Sequence, residues 1–253
     1  MRMTANATID PSEVARFDAL GAQWWDPKGK MAPLHAINPV RLGFVRDVLV
    51  RHFGHDARSL RPLKGLRILD IGCGGGLLSE PLARMGADMV GVDPAPGNIV
   101  VAQAHADEAG VRVDYRQGTA EELADAGERF DVVLALEVVE HVADVGLFLR
   151  RAGEMVNPNG IMIVSTLNRT AKSFALAIVG AEYVLRWLPR GTHRWDKFIT
   201  PAELEAEMGA AGFEMSELAG MVFDPLRGEW KIAADTDVNY FLVAKPAFHT
   251  SEG

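Results

Sequence analysis

The chain has 253 residues, 48% of them hydrophobic and 24% charged, enough to bury one full core with modest additions. Its formal net charge of −8 excludes a general affinity for polyanions, so nucleic acid is not an expected partner. The single cysteine, Cys73, excludes an intrachain disulfide and suits a reducing cytoplasm; no run of about 18 uncharged apolar residues is present to span a bilayer, and the polar Met1–Pro11 stretch lacks the apolar core of a signal peptide.

Residues 1–60 read as helices that form an N-terminal lid or extension. Pro11 to Leu20 follows an Asp10 cap, and Pro39 to Phe53 follows Asn38. Between them, Trp24-Trp25-Asp26-Pro27 and the stretch from Pro33 to Arg41 put aromatics, a histidine (His35) and an arginine into a loop-rich segment. Two adjacent tryptophans in a loop imply that they pack over something. One reading is a clamp tying the N-terminal helices to the rest of the fold; the other is a lid over a bound cofactor, with Arg41 paired to a carboxylate.

From Leu66 to Val164 strands and helices alternate. Apolar Leu66, Ile68, Leu69 and Ile71 lead into a glycine-rich turn, Leu69 to Gly76 (L-D-I-G-C-G-G-G), and Leu77, Leu78, Leu82 and Met85 lead out with helical spacing. Strand, tight turn and helix are the opening of a nucleotide-binding βαβ unit. Glycine is needed there because a side chain would hold the ligand off the backbone and because the turn calls for positive φ. Cys73, between two of these glycines, reads as a small filler and not a nucleophile. The second strand, Asp88 to Asp93, ends in a carboxylate placed to accept both hydroxyls of a ribose. A dinucleotide G-x-G-x-x-G pattern starting at Gly72 would need glycine where Leu77 stands, and one starting at Gly74 would need it where Ser79 stands. Both registers fail, which sets a dehydrogenase aside. The remaining D-x-G-x-G-x-G, headed by Asp70, resembles motif I of the S-adenosylmethionine (SAM) dependent methyltransferases.

A third strand, Val111 to Tyr115, precedes Gln117-Gly118-Thr119-Ala120-Glu121, where an adenine amino group could find a partner; Thr119 is the candidate there. The fourth, Phe130 to Leu136, is continuously apolar apart from Asp131 and runs into Leu136-Glu137-Val138-Val139-Glu140-His141. On a helical turn, Glu137, Glu140 and His141 would share one face and could hold a divalent cation or position a proton acceptor. Equally, they could be an acidic helix start with His141 at the surface. Ile161 to Ser165 is the fifth strand, entered through the Asn157–Gly160 turn. Residues 170–200 interrupt the alternation; a helix at Pro201 to Ala211 and two closing strands near Phe213 to Val222 and Val238 to Ala244 follow. The pattern predicts an α/β fold: a doubly wound sheet with an antiparallel edge hairpin, N-terminal helices and a helical insertion, the main domain covering 61–247 and a tail 248–253.

W-W-D-P, P-L-H-x-I-N-P-x-R, L-D-I-G-C-G-G-G, E-V-V-E-H-V, S-T-L-N-R, V-G-A-E-Y, G-T-H and the final D-V-N-Y together resemble the ubiquinone-biosynthesis O-methyltransferase family, from about Phe17 to Lys245. The resemblance implies a class I, Rossmann-like methyltransferase that transfers methyl groups from SAM to hydroxyls on a polyprenylated phenol or catechol precursor of coenzyme Q. It carries SAM contacts over to Arg41, Gly72, Asp93 and the backbone of Leu136, beside the motif residues Asp70, Gly74 and Thr119. In some members a magnesium (Mg2+) site falls on what are here Glu137, Glu140 and His141. Either such a cation or His141 as base would help turn the phenol into a phenolate for in-line displacement at the sulfonium. Ser173 to Leu188 is apolar on most faces yet carries Glu182 and Arg186, with Lys172, Arg190 and Arg194 beside it. Too short and too charged to span a membrane, it suits the headgroup plane, where it would admit a polyprenyl chain; a buried cover or dimer contact is the other reading. The partners expected are therefore the quinone precursor, a lipid surface on the inner face of the cytoplasmic membrane and other quinone-pathway enzymes. Two rivals remain: a methyltransferase for a small soluble acceptor, and a non-catalytic SAM-binding component of the same pathway.

Overall fold

The computed structural model describes residues 8–18, 21–175 and 195–247. Eight strands form one sheet: β1 (Arg67–Ile71), β2 (Asp88–Asp93), β3 (Asp114–Gln117), β4 (Phe130–Leu136), β5 (Val156–Leu167), β6 (Phe213–Asp224), β7 (Glu229–Ala233) and β8 (Asn239–Pro246). Their spatial order is β3-β2-β1-β4-β5-β8-β6-β7. The first five are parallel. β8 is antiparallel to both β5 and β6, so β6 runs in the same direction as the parallel set, and β7 returns along it as a hairpin on the edge.

The helices are α1 (Pro11–Asp18), α2 (Ala32–Phe53), α3 (Ser79–Arg84), α4 (Pro96–Ala109), α5 (Ala120–Asp125), α6 (Val145–Glu154), the single turn α7 (Ala171–Ser173) and α8 (Pro201–Ala210). They cover both faces of the sheet, and the strands divide their side chains between them with period two. Val133 and Ala135 of β4, with Met162 and Val164 of β5, face Leu123 of α5, Phe148 and Leu149 of α6 and Leu204 and Met208 of α8. Val132 and Leu134, with Ile161 and Ile163, face Phe44, Val45, Val48 and Leu49 of α2 and Leu82 of α3. Burial on both faces is why β4 reads as an unbroken apolar run.

The N-terminal region departs from the sequence expectation. α2 begins at Ala32 and not at Pro39, so Pro33 to Arg41 is helix and not loop. Pro33 lies in the first turn, where the missing N–H had no intrahelical partner to lose. Pro39 sits inside the helix and forgoes one backbone bond, while the apolar face that follows it packs on the sheet and keeps the helix continuous. α1 ends at Asp18, and Leu20 lies outside the described residues. β3 starts three residues late at Asp114, after the buried Val113. β5 takes in the Asn157–Gly160 turn through a shift in register against β4. β7 is an additional strand. Of the 170–200 insertion, residues 176–194 lie outside the described residues.

Candidate functional site

The turn after β1 is built by its backbone. Gly72, Gly74 and Gly76 have φ of 68, 53 and 88°, values that side-chain-bearing residues rarely adopt. The N–H groups of Gly72 and Cys73 donate to the Val92 carbonyl at 2.8 and 3.1 Å, which ties the turn to the end of β2. Asp93, the last residue of β2, completes the tie. Its Oδ2 accepts the Gly74 N–H at 3.0 Å, and its Oδ1 accepts the Ala95 N–H at 2.9 Å and the Asn98 Nδ2 at 3.1 Å.

The two tryptophans close the turn from outside. A Cβ on Gly74 would lie 2.4 Å from the Trp24 ring. Trp24 Nε1 donates to Asn98 Oδ1 at 2.7 Å, and Trp25 Nε1 donates to the Gly75 carbonyl at 2.8 Å while its ring stacks on His105. His35 Nε2 lies 2.9 Å from the Trp24 carbonyl, fixing that ring from α2. These contacts hold both tryptophans against the turn, and Trp24 also lines the cavity below.

A cavity of about 1200 Å³ opens at the carboxyl edge of the sheet. Arg41, Asp70, Gly72, Asp93, Thr119 and Leu136 all line it, as do Glu137, Glu140 and His141. Gly74 lies behind the lining, its N–H committed to Asp93. Thr119 caps α5, accepting from the Glu122 N–H. Arg41 is buried; its Nη2 donates to the Leu136 carbonyl at 3.4 Å, and its Nε has no hydrogen-bond partner among the described residues. Burial pushes the thiol of Cys73 up, away from the thiolate form, as expected of a filler.

Asp70 is fully enclosed, and burial pushes its pKa up to about 6 against the opposing Ser79 hydroxyl and Arg41 charge. An acid with a folded pKa above its unfolded value of about 4 binds its proton more tightly in the native state. Native stability from this group is therefore full below about pH 4 and is lost as pH rises towards 6. Asp70→Asn should remove that loss. Urea midpoints measured from pH 4 to 7 should show the variant gaining on the wild type across the window, by on the order of 2–3 kcal/mol.

At the end of β4 the arrangement differs from a helical face. Glu137 has φ of 59° and precedes a 3-10 turn, Val139–His141, so it does not share a helix face with Glu140 and His141. Glu137 Oε1 accepts from Ser165 Oγ at 2.8 Å and Asn239 Nδ2 at 2.9 Å. Glu140 Oε2 accepts from Thr166 Oγ1 at 2.8 Å; burial and then the Glu137 charge raise its pKa. His141 turns elsewhere: its Nδ1 is 3.1 Å from Glu13 Oε2, and its ring meets Phe17 edge to face. Each of the three has its own partner, and among the described residues no group of three His, Cys, Asp or Glu side chains is placed to hold a metal ion. Nor is His141 a surface residue. Burial works against its charged form, but the neighbouring Glu13 carboxylate, with the charge of Glu140, outweighs it and holds its pKa above the ordinary histidine value.

Glu13 is the site residue that sequence reasoning missed. It reaches His141 because the N-terminal segment is fastened across the cavity. Thr8 donates from its hydroxyl to Glu121, its carbonyl accepts the Ala143 N–H at 2.8 Å, and Asp18 Oδ1 accepts the Gly97 N–H at 2.7 Å. The signal in the sequence was an amphipathic helix start, which gives no partner at such a separation.

A family model described as a methyltransferase domain matches residues 43–218. A curated protein of Azorhizobium caulinodans, ubiquinone biosynthesis O-methyltransferase, is 99% identical over 253 residues, covering 100% of both chains. A protein of the same name from Rhodopseudomonas palustris is 59% identical, over 95% of this chain and 94% of its own. Among solved structures, a magnesium protoporphyrin IX methyltransferase from Synechocystis with bound SAM aligns with a TM-score of 0.59 at 19% identity. It covers 96% of this chain and 100% of its own, a likeness of fold.

Proposed function

The chain belongs to the ubiquinone biosynthesis O-methyltransferase family, and from that premise we propose that its cavity moves a methyl group from SAM to a phenolic oxygen of a polyprenylated quinone precursor. The observation that carries this reading is the buried Arg41, its Nε without a partner among the described residues, in the lining of a cavity that also takes in the glycine turn, Asp70 and Asp93. A buried guanidinium donor left unsatisfied is costly unless a ligand completes it. The carboxylate of an amino acid does so, and Asp70, of opposite charge and close enough to Arg41 to feel it, suits the ammonium of the same zwitterion.

SAM supplies a methyl group already mounted on a sulfonium leaving group. The residues of the chain do the binding and the proton work. Arg41 and Asp70 hold the methionine end, and the turn at Gly72 brings backbone close to it. An ionised carboxylate offers about four acceptor sites. Asp93 spends three on the Gly74, Ala95 and Asn98 donors, which leaves Oδ2 able to accept from one ribose hydroxyl. Thr119, at the start of α5, borders the adenine end. A phenol with its usual pKa of about 10 must lose its proton as the new bond forms. His141 would take it at Nε2, its Nδ1 lying 3.1 Å from the Glu13 carboxylate. The trio Glu137, Glu140 and His141 does not fit a metal ligand set in this geometry, so no step is assigned to a cation.

A lipid surface as partner is supported at the ends of the insertion. Phe174 and Trp195 are exposed and meet edge to face at 6.4 Å, an apolar pair where a bilayer-facing segment would begin and end. None of the described helices is long and apolar enough to cross a membrane. Attachment at the inner face of the cytoplasmic membrane would thus be peripheral.

Transfer of label from methyl-labelled SAM to a short-chain polyprenyl catechol, with magnesium and with chelator, tests the reading. Labelled ether at equal rates in both arms is the expected result. Labelled ether that disappears with chelator would transfer proton removal from His141 to a bound cation. SAM binding without any product would sink the acceptor assignment.

A further inference from the structure

The β6–β7 hairpin does more than close the sheet. Because β6 runs with the parallel strands, its Asp224 end lies on the same carboxyl edge as the glycine turn. β8 pairs with β6 only as far as Met221, opposite Asn239; from Val222 to Asp224 its ladder partner among the described residues is β7 alone. Three residues of strand, roughly 10 Å at 3.3 Å per residue, therefore overhang the sheet beside the cavity mouth. The apolar surface of this overhang lies at one cross-strand pair, flanked by Val222 opposite Lys231 and Asp224 opposite Glu229. Phe223 stands opposite Trp230 with ring centroids 5.5 Å apart, Phe223 is 45% exposed, and Leu226 at the tip is 96% exposed. Val222, Phe223, Pro225 and Trp230 line the same cavity as Arg41 and Asp93.

We propose that this overhanging hairpin is the tail-binding lip of the enzyme, holding the first isoprene units of the acceptor against the cross-strand pair Phe223 and Trp230. The inference rests on the quinone-precursor reading. The charged residues Arg41, Asp70 and Asp93 occupy the part of the cavity at the glycine turn, and an isoprenoid chain has no hydrogen bond to offer them. The hairpin offers it an apolar wall continuous with the reaction chamber and open to solvent at its outer end, as a tail longer than the cavity requires.

The test compares a catechol carrying two isoprene units with a tail-less catechol, using wild-type enzyme, Phe223→Ser and Phe223→Leu, in detergent-free buffer. Phe223→Ser should raise KM for the prenylated acceptor by roughly 10-fold or more, the loss expected when a buried aromatic contact is removed. The kcat and KM for the tail-less acceptor should not move, and Phe223→Leu should restore most of the prenylated KM. Equal losses on both acceptors would assign Phe223 a structural role and overturn the proposal. So would an unchanged KM ratio, including one accompanied by weaker sedimentation with anionic phospholipid vesicles, which would make the hairpin a lipid contact instead. A wild type that methylates both acceptors while the variants show no selective effect sinks the lip alone. A wild type that methylates neither sinks the quinone-precursor reading with it.

Discussion

Arg41→Met is expected to weaken SAM binding by about 10- to 150-fold while the urea midpoint stays nearly unchanged. The first number follows from losing a charge-assisted hydrogen bond to a carboxylate, worth about 1.5–3 kcal/mol. The second follows from what the guanidinium does without ligand. Among the described residues its one hydrogen bond, to the Leu136 carbonyl, is long at 3.4 Å, and its buried Nε is unsatisfied. Without the Arg41 charge, Asp70, already pushed towards its protonated form by burial, takes up a proton instead of standing as an uncompensated buried charge, so the folding cost stays small. Calorimetric titration with SAM, set beside urea unfolding of the same preparations, separates the two quantities. A large drop in stability with unchanged affinity would make Arg41 a structural residue and refute its cofactor role.

Asp93→Ala should behave differently, losing both fold stability and cofactor. The carboxylate gathers Gly74 N–H, Ala95 N–H and Asn98 Nδ2, and without it three donors lose their acceptor where burial leaves little water to replace it. Each unsatisfied buried donor costs about 1–3 kcal/mol, offset in part because the carboxylate itself is desolvated, so a loss of at least ~2 kcal/mol is expected. Loosening of the turn and removal of the ribose acceptor together should raise the Kd for SAM by ~100-fold or more. Asp93→Asn is the informative companion. Its amide oxygen can serve one side of the network, but its NH2 must face a donor on the other, so it should sit between wild type and alanine in stability. Turnover with labelled SAM at saturating acceptor reads the outcome; near wild-type affinity in either variant would remove Asp93 from the site.

What could be read from residue order follows from what residue order encodes. β2 and β4 appear at their bounds because strands buried on both faces need continuous apolar runs, and both runs end at chemistry-bearing residues. β7, with Glu229 and Lys231 exposed on an edge, has no such run and left no signal. α2 was shortened in reading because Pro33 and Pro39 look like breakers; the packing of Phe44, Val45 and Leu49 on the sheet outweighs one missing bond. The residues around the cavity were findable because the glycine turn and the strand ends are local motifs. The partner of His141 was not, since Glu13 reaches it through the folded path of the N-terminal segment. Nor was the separation of Glu137 from Glu140 and His141, which depends on a backbone angle at Glu137 that its neighbours do not announce.

The position of β8 fixes an order of events at the ribosome. It is the last of the eight strands to be synthesised, yet it fills the slot between β5 and β6. Until residues 239–246 have emerged, the β3-β2-β1-β4-β5 half can pair within itself, but β5 presents a long apolar edge and the β6–β7 hairpin has no sheet to join. Every nascent chain therefore passes through a stage with two exposed, complementary edges, each able to capture the other or a neighbouring chain. That exposure ends only when residues 239–246 join the sheet between β5 and β6.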